Sequence, residues 1–213
     1  MSVRIGIIGV GRIGRLHAEN IVRYVHGAEV VAVADIVEEA ARRCAEDLGI
    51  PRAFADYRAI LEDKTTDAIL ICTSTDTHAE IIRAAAAAGK HIFCEKPLAL
   101  DLSEIEGALT AVEEAGVILQ VGFNRRFDPN FRRLKELLAK GAIGRPWLLK
   151  ITSYDPAPPP VSYIRVSGGI FLDMTIHDFD MARFLLGEVE EVFATGSVLV
   201  EPEIGEMGDV DTA

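Results

Sequence analysis

Three polar side chains interrupt an apolar stretch in the last quarter of the sequence. The segment GGIFLDMTIHDFDMARFLLG, residues 168–187, carries Asp173, His177 and Asp180. Its pattern predicts a helix, on which residues three and four positions apart are neighbours on one side. An acid, an imidazole and a second acid facing one way are typical of a proton-transfer site, a metal site or a polar cluster at a helix start. The remaining motifs have to decide among these three interpretations.

A glycine-rich motif near the start of the chain predicts a dinucleotide site. Gly9, Gly11 and Gly14 fit G-x-G-x-x-G, between a strand-like run over 3–10 and a helix predicted over about 13–25. In that context the first glycine permits a tight turn, the second lets a pyrophosphate approach the backbone, and the third allows close helix–strand packing. The phosphates would lie at a helix N-terminus, which favours anions. The alternative is a glycine-rich turn without a ligand.

An acidic residue follows the second predicted strand at the spacing that this fingerprint requires. Asp35 lies 35 − 14 = 21 residues beyond Gly14, against an expected spacing of about 20. A carboxylate there accepts hydrogen bonds from ribose hydroxyls and repels a 2′-phosphate. Ile36 and Val37 follow it, with no arginine to hold such a phosphate. The predicted cofactor is therefore NAD rather than NADP; the alternative role for Asp35 is a helix cap. Arg12 and Ile13, inside the glycine motif, complete the predicted cofactor loop.

Further candidates follow the ends of later predicted strands, where open α/β sheets bind ligands. Thr73 and Ser74, after the run DAILICT, are plausible hydroxyl contacts for the cofactor, and His78 is a structural or a cofactor contact. The run HIFCEKP places Glu95 and Lys96 directly at the end of a strand, so that a charged amine lies at the mouth of the ligand crevice. The alternative for the latter pair is a surface ion pair before a helix.

The elements that must position these residues alternate between apolar strands and helices over residues 1–123. Five nearly continuous apolar runs, each followed by a helical pattern, predict βαβ units and a doubly wound parallel sheet covered on both faces. Residues 124–213 form a second predicted domain. It contains the helix FDPNFRRLKELLAKGAIG, strands within 145–155 and 188–202, and the helix over 168–187.

Composition excludes several classes of function. Hydrophobic residues make up 49% of the 213 residues and the net charge is −11, which is typical of a globular enzyme and disfavours nucleic acid or an anionic membrane surface as a partner. The sequence shows no signal-peptide pattern and no apolar stretch long enough to span a bilayer. Its three cysteines, Cys44, Cys72 and Cys94, are widely spaced, which predicts reduced thiols in a cytoplasmic protein.

Five segments together resemble the Gfo/Idh/MocA family of NAD(P)-dependent oxidoreductases. They are GVGRIGRLHAEN, CTSTDTHAE, EKPLALD, GFNRRFDPNF and SGGIFLDMTIHDFDMARFLLG, which occur in this order and cover essentially the whole chain. The resemblance implies a Rossmann domain followed by an α/β domain whose open sheet forms the substrate floor and usually an oligomer interface. Within the family, DPAPPP and the 168–187 segment are most similar to inositol 2-dehydrogenases.

This resemblance implies the oxidation of a secondary alcohol of a cyclitol or sugar, with myo-inositol as the leading substrate. Lys96, Asp173 and His177 match the catalytic residues of the family, which lie around the alcohol and the nicotinamide. Imidazole suits removal of the hydroxyl proton near neutral pH, which favours His177 as the base, with Lys96 as the alternative. Asp173 would hold the His177 tautomer and Lys96 would stabilise alkoxide charge. Asp180 then becomes structural support. A metal site is disfavoured because a further ligand is not obvious.

Two other residues and the length of the chain qualify this interpretation. Arg126 and Asp155 match positions near the substrate pocket of the family, although structural ion pairs would explain both equally well. Family members continue past DVDTA with further strands of the substrate sheet, so we expect an incomplete α/β second domain and a homo-oligomer if the sheet is completed. The alternatives are an NAD-binding chain without turnover and a related sugar dehydrogenase or reductase.

Overall fold

The computed structural model describes residues 2–213. The chain divides into two compact units, Met1–Gly122 and Phe123–Ala213. Within residues 2–213, no helix is long and apolar enough to cross a membrane.

The first unit is a six-stranded, wholly parallel sheet with the strand order β3-β2-β1-β4-β5-β6. Its strands are β1 (Val3–Ile8), β2 (Ala28–Ala34), β3 (Ala53–Phe54), β4 (Ala68–Ile71), β5 (His91–Cys94) and β6 (Leu119–Val121). Its helices are α1 (Arg12–Tyr24), α2 (Glu38–Leu48), α3 (Arg58–Glu62), α4 (Thr75–Ala87) and α5 (Leu102–Ala115). The order reverses between β1 and β4, as in doubly wound dinucleotide-binding sheets. The predicted fold class is confirmed.

Both faces of this sheet are buried, which explains why its strands are almost continuously apolar. Successive residues of β1 point to opposite faces. Ile7 packs in one core cluster with Ile21 of α1 and Ala41 of α2. Ile8 packs in the other cluster, which includes Ile82 of α4. Helices therefore cover each face, and the polar candidates are left to the ends of the strands.

The structure contains one strand that the sequence analysis does not predict. Strand β3 has two residues, and it pairs with Val33 and Ala34 at the end of β2. A two-residue strand is too short to show either an apolar run or an alternating pattern. Its existence depends on the neighbouring β2 rather than on its own sequence.

The second unit contains helices and extended segments. A short 3₁₀ helix over Asn124–Phe127 precedes α6 (Pro129–Ala139), α7 (Val161–Ser167), α8 (Gly169–Asp173), α9 (Ile176–Leu186) and α10 (Pro202–Glu206). Helix α6 begins where the Asp128 carboxylate accepts hydrogen bonds from the backbone N–H groups of Asn130 (2.8 Å) and Phe131 (3.3 Å). An N-cap aspartate followed by proline at the first helical position is a strong start signal.

The prediction of two strands in this unit is wrong. Within residues 2–213 no β-strand forms over 145–155 or 188–202; the one ladder contact is an isolated antiparallel bridge between Ser197 and Thr212. Apolar side chains in these segments are exposed, including Trp147 (83%) and Phe193 (90%). A strand needs a neighbour for its backbone N–H and C=O groups, and among the described residues these runs gain only that one bridge.

The prediction of one helix over 168–187 is also wrong. Helix α8 ends at Asp173 and α9 begins at Ile176. Between them the Thr175 N–H donates to the carbonyl of Ile170 (2.9 Å), and the Thr175 hydroxyl lies 3.3 Å from that carbonyl and 3.2 Å from the carbonyl of Phe171. Threonine side chains compete with backbone groups for helix hydrogen bonds in this way. Asp173 and His177 therefore belong to consecutive helices rather than to one helix face.

Candidate functional site

A cavity of about 330 Å³ lies where β1, β2 and β4 end at the carboxyl edge of the sheet. Five of the predicted cofactor residues line it: Gly9, Gly11, Asp35, Thr73 and Ser74. The cavity is at the topological switch point, where open α/β sheets bind nucleotides. The structure thus brings together the residues from three separate motifs.

The glycine motif makes a tight turn beneath this cavity. Gly9 has a φ of +86°, and a Cβ there would lie 2.7 Å from the carbonyl group of Cys72. A Cβ at Gly14 would lie 1.9 Å from the carbonyl oxygen of Gly9, so α1 packs directly on the turn. A Cβ at Gly11 would meet no atom within 4 Å. The space above Gly11 is therefore open, which fits the approach of a pyrophosphate.

The start of α1 is suited to an anion. Gly11 is the N-cap and has no side chain to bond the N–H groups of the first turn, which are left for a ligand. Arg12 is exposed at the first helical position, and the half-buried Ile13 packs against the core. Neither residue lines the cavity with its own atoms.

The Asp35 carboxylate links the end of β2 to the glycine turn. Its Oδ2 accepts the backbone N–H of Val10 (2.9 Å), and its Oδ1 accepts the N–H of Val37 (2.9 Å). A carboxylate oxygen can accept a second hydrogen bond, so both oxygens retain capacity for ribose hydroxyls. Ile36 follows at the rim of the cavity and is 94% exposed. The residues present therefore fit a dinucleotide with a free 2′-hydroxyl.

Some residues after β4 line the cavity, and others are buried in the protein interior. The Thr73 hydroxyl accepts a hydrogen bond from the Thr77 hydroxyl (2.7 Å), and Ser74 is exposed at the N-cap of α4. His78 is 1% exposed and does not line the cavity. Its Nδ1 lies 2.7 Å from the carbonyl oxygen of Pro97, and its Nε2 lies 3.1 Å from that of Thr73. His78 therefore connects two loops at the sheet edge.

Lys96 follows β5 directly and is half-buried, with Glu95 before it. The Glu95 Oε1 lies 2.6 Å from the Nε2 of His17, a residue of α1. Sequence reasoning missed His17, although it lies within the quoted segment GVGRIGRLHAEN. Nothing in local spacing connects it with a carboxylate 78 residues away.

In the second unit, Asp173 and His177 occupy the two helices that meet at Thr175. The Asp173 Oδ1 accepts a hydrogen bond from the Tyr163 hydroxyl at 2.9 Å. His177 lies in the first turn of α9 and its Nδ1 is buried. Tyr163 is a further residue that sequence reasoning missed, because a spacing of ten residues across a helix break carries no periodic signal.

The other acids of α9 are paired with arginines. Asp180, 7% exposed, accepts hydrogen bonds from Arg126 at 2.8 Å (Nε) and 2.6 Å (Nη2). This hydrogen bonding raises the pKa of the Arg126 guanidinium, which also lies 5.3 Å from the Phe184 ring centroid. Asp178 pairs with Arg125 and accepts the Ser153 hydroxyl at 2.8 Å.

Of the two predicted substrate contacts, Arg126 thus forms an ion pair with Asp180. Asp155 is exposed in a segment without regular structure. Throughout residues 2–213, no group of three His, Cys, Asp or Glu side chains is arranged to hold a metal ion. The three cysteines are buried free thiols, and burial raises the pKa of the cavity-lining Cys72.

Comparisons with known proteins agree with this architecture. Residues 3–123 match the model of an oxidoreductase family with an NAD-binding Rossmann fold, and residues 131–213 match the GFO/IDH/MocA C-terminal domain. The chain is 57% identical over 212 residues to myo-inositol 2-dehydrogenase of Thermotoga maritima, covering 99% of this chain and 63% of that protein. It is 45% identical to the scyllo-inositol 2-dehydrogenase (NAD(+)) of Bacillus subtilis, covering 100% of this chain and 62% of that protein.

Solved structures show the same similarity. A probable dehydrogenase from Thermotoga maritima has a TM-score of 0.93 at 56% identity, over 98% of this chain and 62% of that one. The scyllo-inositol dehydrogenase of Lactobacillus casei with bound NAD(H) and scyllo-inositol has a TM-score of 0.86 at 33% identity, over 99% and 64%. The chain thus spans somewhat less than two thirds of the length of these relatives. The first unit is an NAD-binding Rossmann domain, and the chain belongs to the Gfo/Idh/MocA family of oxidoreductases.

Proposed function

We propose that this chain carries the NAD-dependent oxidation of a secondary alcohol of a cyclitol or sugar, with myo-inositol and its 2-ketone as the leading pair. The observation that carries the proposal is the cavity at the switch point, with open space over Gly11 and the Asp35 carboxylate at its edge. The substrate class comes from the inositol dehydrogenases to which the chain is similar.

NAD supplies the hydride acceptor for such a reaction. The glycine loop and the N-terminus of α1 would bind its pyrophosphate, Asp35 its ribose, and Thr73 and Ser74 would supply further hydroxyl contacts. The remaining candidates, Arg12, Ile13, His78 and Glu95, would act mainly by shaping the loops. Of these, His78 and Glu95 bond to protein groups in the structure.

Three residues are proposed to handle the proton and the developing charge. His177 would accept the hydroxyl proton, since an imidazole ordinarily titrates near neutral pH. Asp173 would hold the imidazole in one tautomer and stabilise its protonated form; the hydrogen bond from Tyr163 supports this by fixing the carboxylate. Lys96 would donate a hydrogen bond to the hydroxyl oxygen and stabilise alkoxide charge.

The remaining assignments rest on side-chain exposure, ion pairing and composition. Asp155 is the proposed substrate contact of the pair because its carboxylate is exposed, whereas the ion pair with Asp180 favours a structural role for Arg126. The buried free cysteines support a reducing compartment such as the cytoplasm. The net charge of −11 disfavours nucleic acid as a partner, and a homo-oligomer stays a prediction.

NAD binding without turnover is the second candidate function. It is favoured by one observation: this chain spans 55–64% of the inositol dehydrogenases to which it is similar. Two measurements on the same preparation separate the candidates. NAD affinity is measured by calorimetry, and formation of reduced nicotinamide is followed with myo-inositol, scyllo-inositol and a panel of aldoses. Reduction with a cyclitol supports the first function. Tight NAD binding with no reduction across the panel overturns it and supports the second.

A further inference from the structure

Two histidines of the first unit hold the residues on either side of Lys96. His17, in α1, bonds to Glu95, and His78, in α4, bonds to Pro97. Helix α1 begins directly after the glycine loop, and α4 begins directly after the Thr73 segment. Both helices therefore start at the nucleotide cavity and reach the same short segment after β5.

The carboxylate of Glu95 is confined on two sides. Its side chain is 16% exposed and that of His17 is 26% exposed, with 2.6 Å between the His17 Nε2 and the Glu95 Oε1. The His17 ring packs edge-on against Phe93, with the centroids 5.5 Å apart. On the other side Gly122 packs so closely that a Cβ there would lie 2.9 Å from the Glu95 Oε2. The carboxylate has little room to rotate away from the histidine.

The ring of His78 is buried between two carbonyl oxygens, that of Pro97 at 2.7 Å and that of Thr73 at 3.1 Å. A carbonyl oxygen can only accept a hydrogen bond, and a neutral imidazole has one N–H. The shorter contact belongs to Nδ1, and a ring that carries its proton there donates it to the Pro97 carbonyl. The backbone immediately after Lys96 is thereby tied to α4.

We infer that His17 and His78 are positioning residues for Lys96, each fixing one neighbour of the lysine from a helix that begins at the nucleotide cavity. The backbone of Glu95 is already fixed by its N–H bond to the Ile71 carbonyl (3.0 Å). The histidines add a restraint on its side chain and on the following turn. The effect on turnover rests on the proposed function, whereas the restraint on the amine does not.

The two histidines use different ring nitrogens, which permits a crossed set of substitutions. A glutamine amide nitrogen takes the place of a histidine Nε2, and an asparagine amide nitrogen takes the place of Nδ1. His17→Gln therefore keeps the bond to Glu95 and His17→Asn loses it. At position 78 the order is reversed: His78→Asn keeps the bond to Pro97 and His78→Gln loses it. At each position, the variant that keeps the hydrogen bond is the control for the variant that loses it.

The readout is the acylation rate of the Lys96 amine, resolved by mass spectrometry of peptides, with the exposed Lys64 as the internal reference. Loss of one restraining hydrogen bond should raise the Lys96 rate about fivefold in His17→Asn and His78→Gln. His17→Gln and His78→Asn should stay within about twofold of the wild-type chain. In turnover assays His17→Asn and His78→Gln should lower kcat about fivefold.

The inference is overturned if Lys96 is acylated at the wild-type rate in all four variants. It is also overturned if the rate rises as much in His17→Gln as in His17→Asn, or as much in His78→Asn as in His78→Gln. Melting temperatures identify any variant that fails to fold; if His78→Gln does so, the His17 pair decides. Because acylation needs no substrate, the two proposals fail separately. The acylation pattern without cyclitol oxidation upholds the positioning role and overturns the proposed function. Cyclitol oxidation with an unaltered Lys96 acylation rate upholds the proposed function and overturns the positioning role.

Discussion

Alanine substitutions at Gly14 and Gly11 should separate the contribution of the glycine loop to stability from its contribution to NAD binding. At Gly14 the new Cβ would lie 1.9 Å from the Gly9 carbonyl oxygen, where contacts under 3.0 Å essentially do not occur. Helix α1 and the turn must therefore move apart by at least 3.0 − 1.9 = 1.1 Å. Because the atom encountered is backbone, no side-chain rotation can relieve the overlap. At Gly11 the Cβ meets nothing within 4 Å and φ is −61°.

These geometries set the expected magnitudes. Overpacking a tight site costs about 3 kcal/mol at the upper end, and alanine in a helix regains about 1 kcal/mol relative to glycine. Gly14→Ala should thus destabilise the first unit by about 2 kcal/mol and lower its melting temperature by about 8 °C. Gly11→Ala should change the melting temperature much less than Gly14→Ala does, because the only native-state loss is that of a glycine N-cap and the unfolded chain loses entropy. Its methyl group should nevertheless weaken NAD binding at least about tenfold, because it fills the space that a pyrophosphate needs.

Circular dichroism melts and calorimetric NAD titrations of the two variants and the wild-type chain provide the test. A Gly14→Ala chain with the same melting temperature as the wild-type chain refutes the packing argument. A Gly11→Ala chain that binds NAD at wild-type affinity refutes the placement of the pyrophosphate, whatever the melts show. A loss of stability in Gly11→Ala as large as that in Gly14→Ala would contradict the open space above Gly11.

Four other substitutions test the remaining assignments. Asp35→Ala should weaken NAD binding about tenfold in a calorimetric titration, because the ribose hydroxyls lose their acceptor. His177→Ala should lower kcat by a factor of about 10² to 10⁴ with NAD affinity unchanged, as expected for loss of a general base. Asp180→Asn should destabilise the second unit by about 1 kcal/mol in a denaturant melt, a value reduced because its arginine partner is 39% exposed. Asp67→Asn should lower the melting temperature at neutral pH. The hydrogen bond from Arg4 lowers the pKa of Asp67 to about 2, so its stabilisation is present above the ordinary pKa of about 3.9 and should fade as the pH falls toward 2.

Two matched variants control for general effects of substitution. His26→Ala removes an exposed histidine and should leave kcat unchanged. Glu190→Gln removes an exposed acid from the second unit and should leave its stability unchanged. If His177→Ala retains wild-type turnover, the proposed base is wrong. If Asp67→Asn shows the same stability deficit at all pH values, the deficit comes from lost packing rather than from the charge.

The first unit was largely predictable because its signals are local. A parallel sheet covered on both faces needs apolar residues at nearly every position of a strand, and runs such as AILI show this directly. Asp35 could be assigned by counting from Gly14. Strand β3 could not be assigned, since two residues supply no pattern and the pairing comes from β2. Likewise the contact of His17 with Glu95 spans 78 residues and exists only once the sheet has brought the two together.

The second unit was less predictable because its structure depends on non-local partners. The run RPWLLKITSYD has the composition of a strand, yet a strand forms only where a neighbouring segment accepts and donates its hydrogen bonds. The helix over 168–187 was misjudged for a different reason. Apolar periodicity continues through Thr175, but its hydroxyl competes for the carbonyls of Ile170 and Phe171. Periodicity records which side chains are apolar and does not record that competition.

The break between α8 and α9 changes the argument for the base without removing it. One continuous helix would have offered two acids, Asp173 and Asp180, as partners for His177 on grounds of spacing. The structure commits Asp178 to Arg125 and Asp180 to Arg126, two consecutive arginines of the 3₁₀ helix that precedes α6. A carboxylate whose charge is compensated by a guanidinium stabilises an imidazolium less well. Asp173 stays the acid proposed to support His177, and its carboxylate accepts a hydrogen bond from the Tyr163 hydroxyl at 2.9 Å. Tyr163→Phe should therefore lower kcat less than Asp173→Asn does, since the first removes a restraint and the second removes the charge; the reverse order would contradict this reasoning.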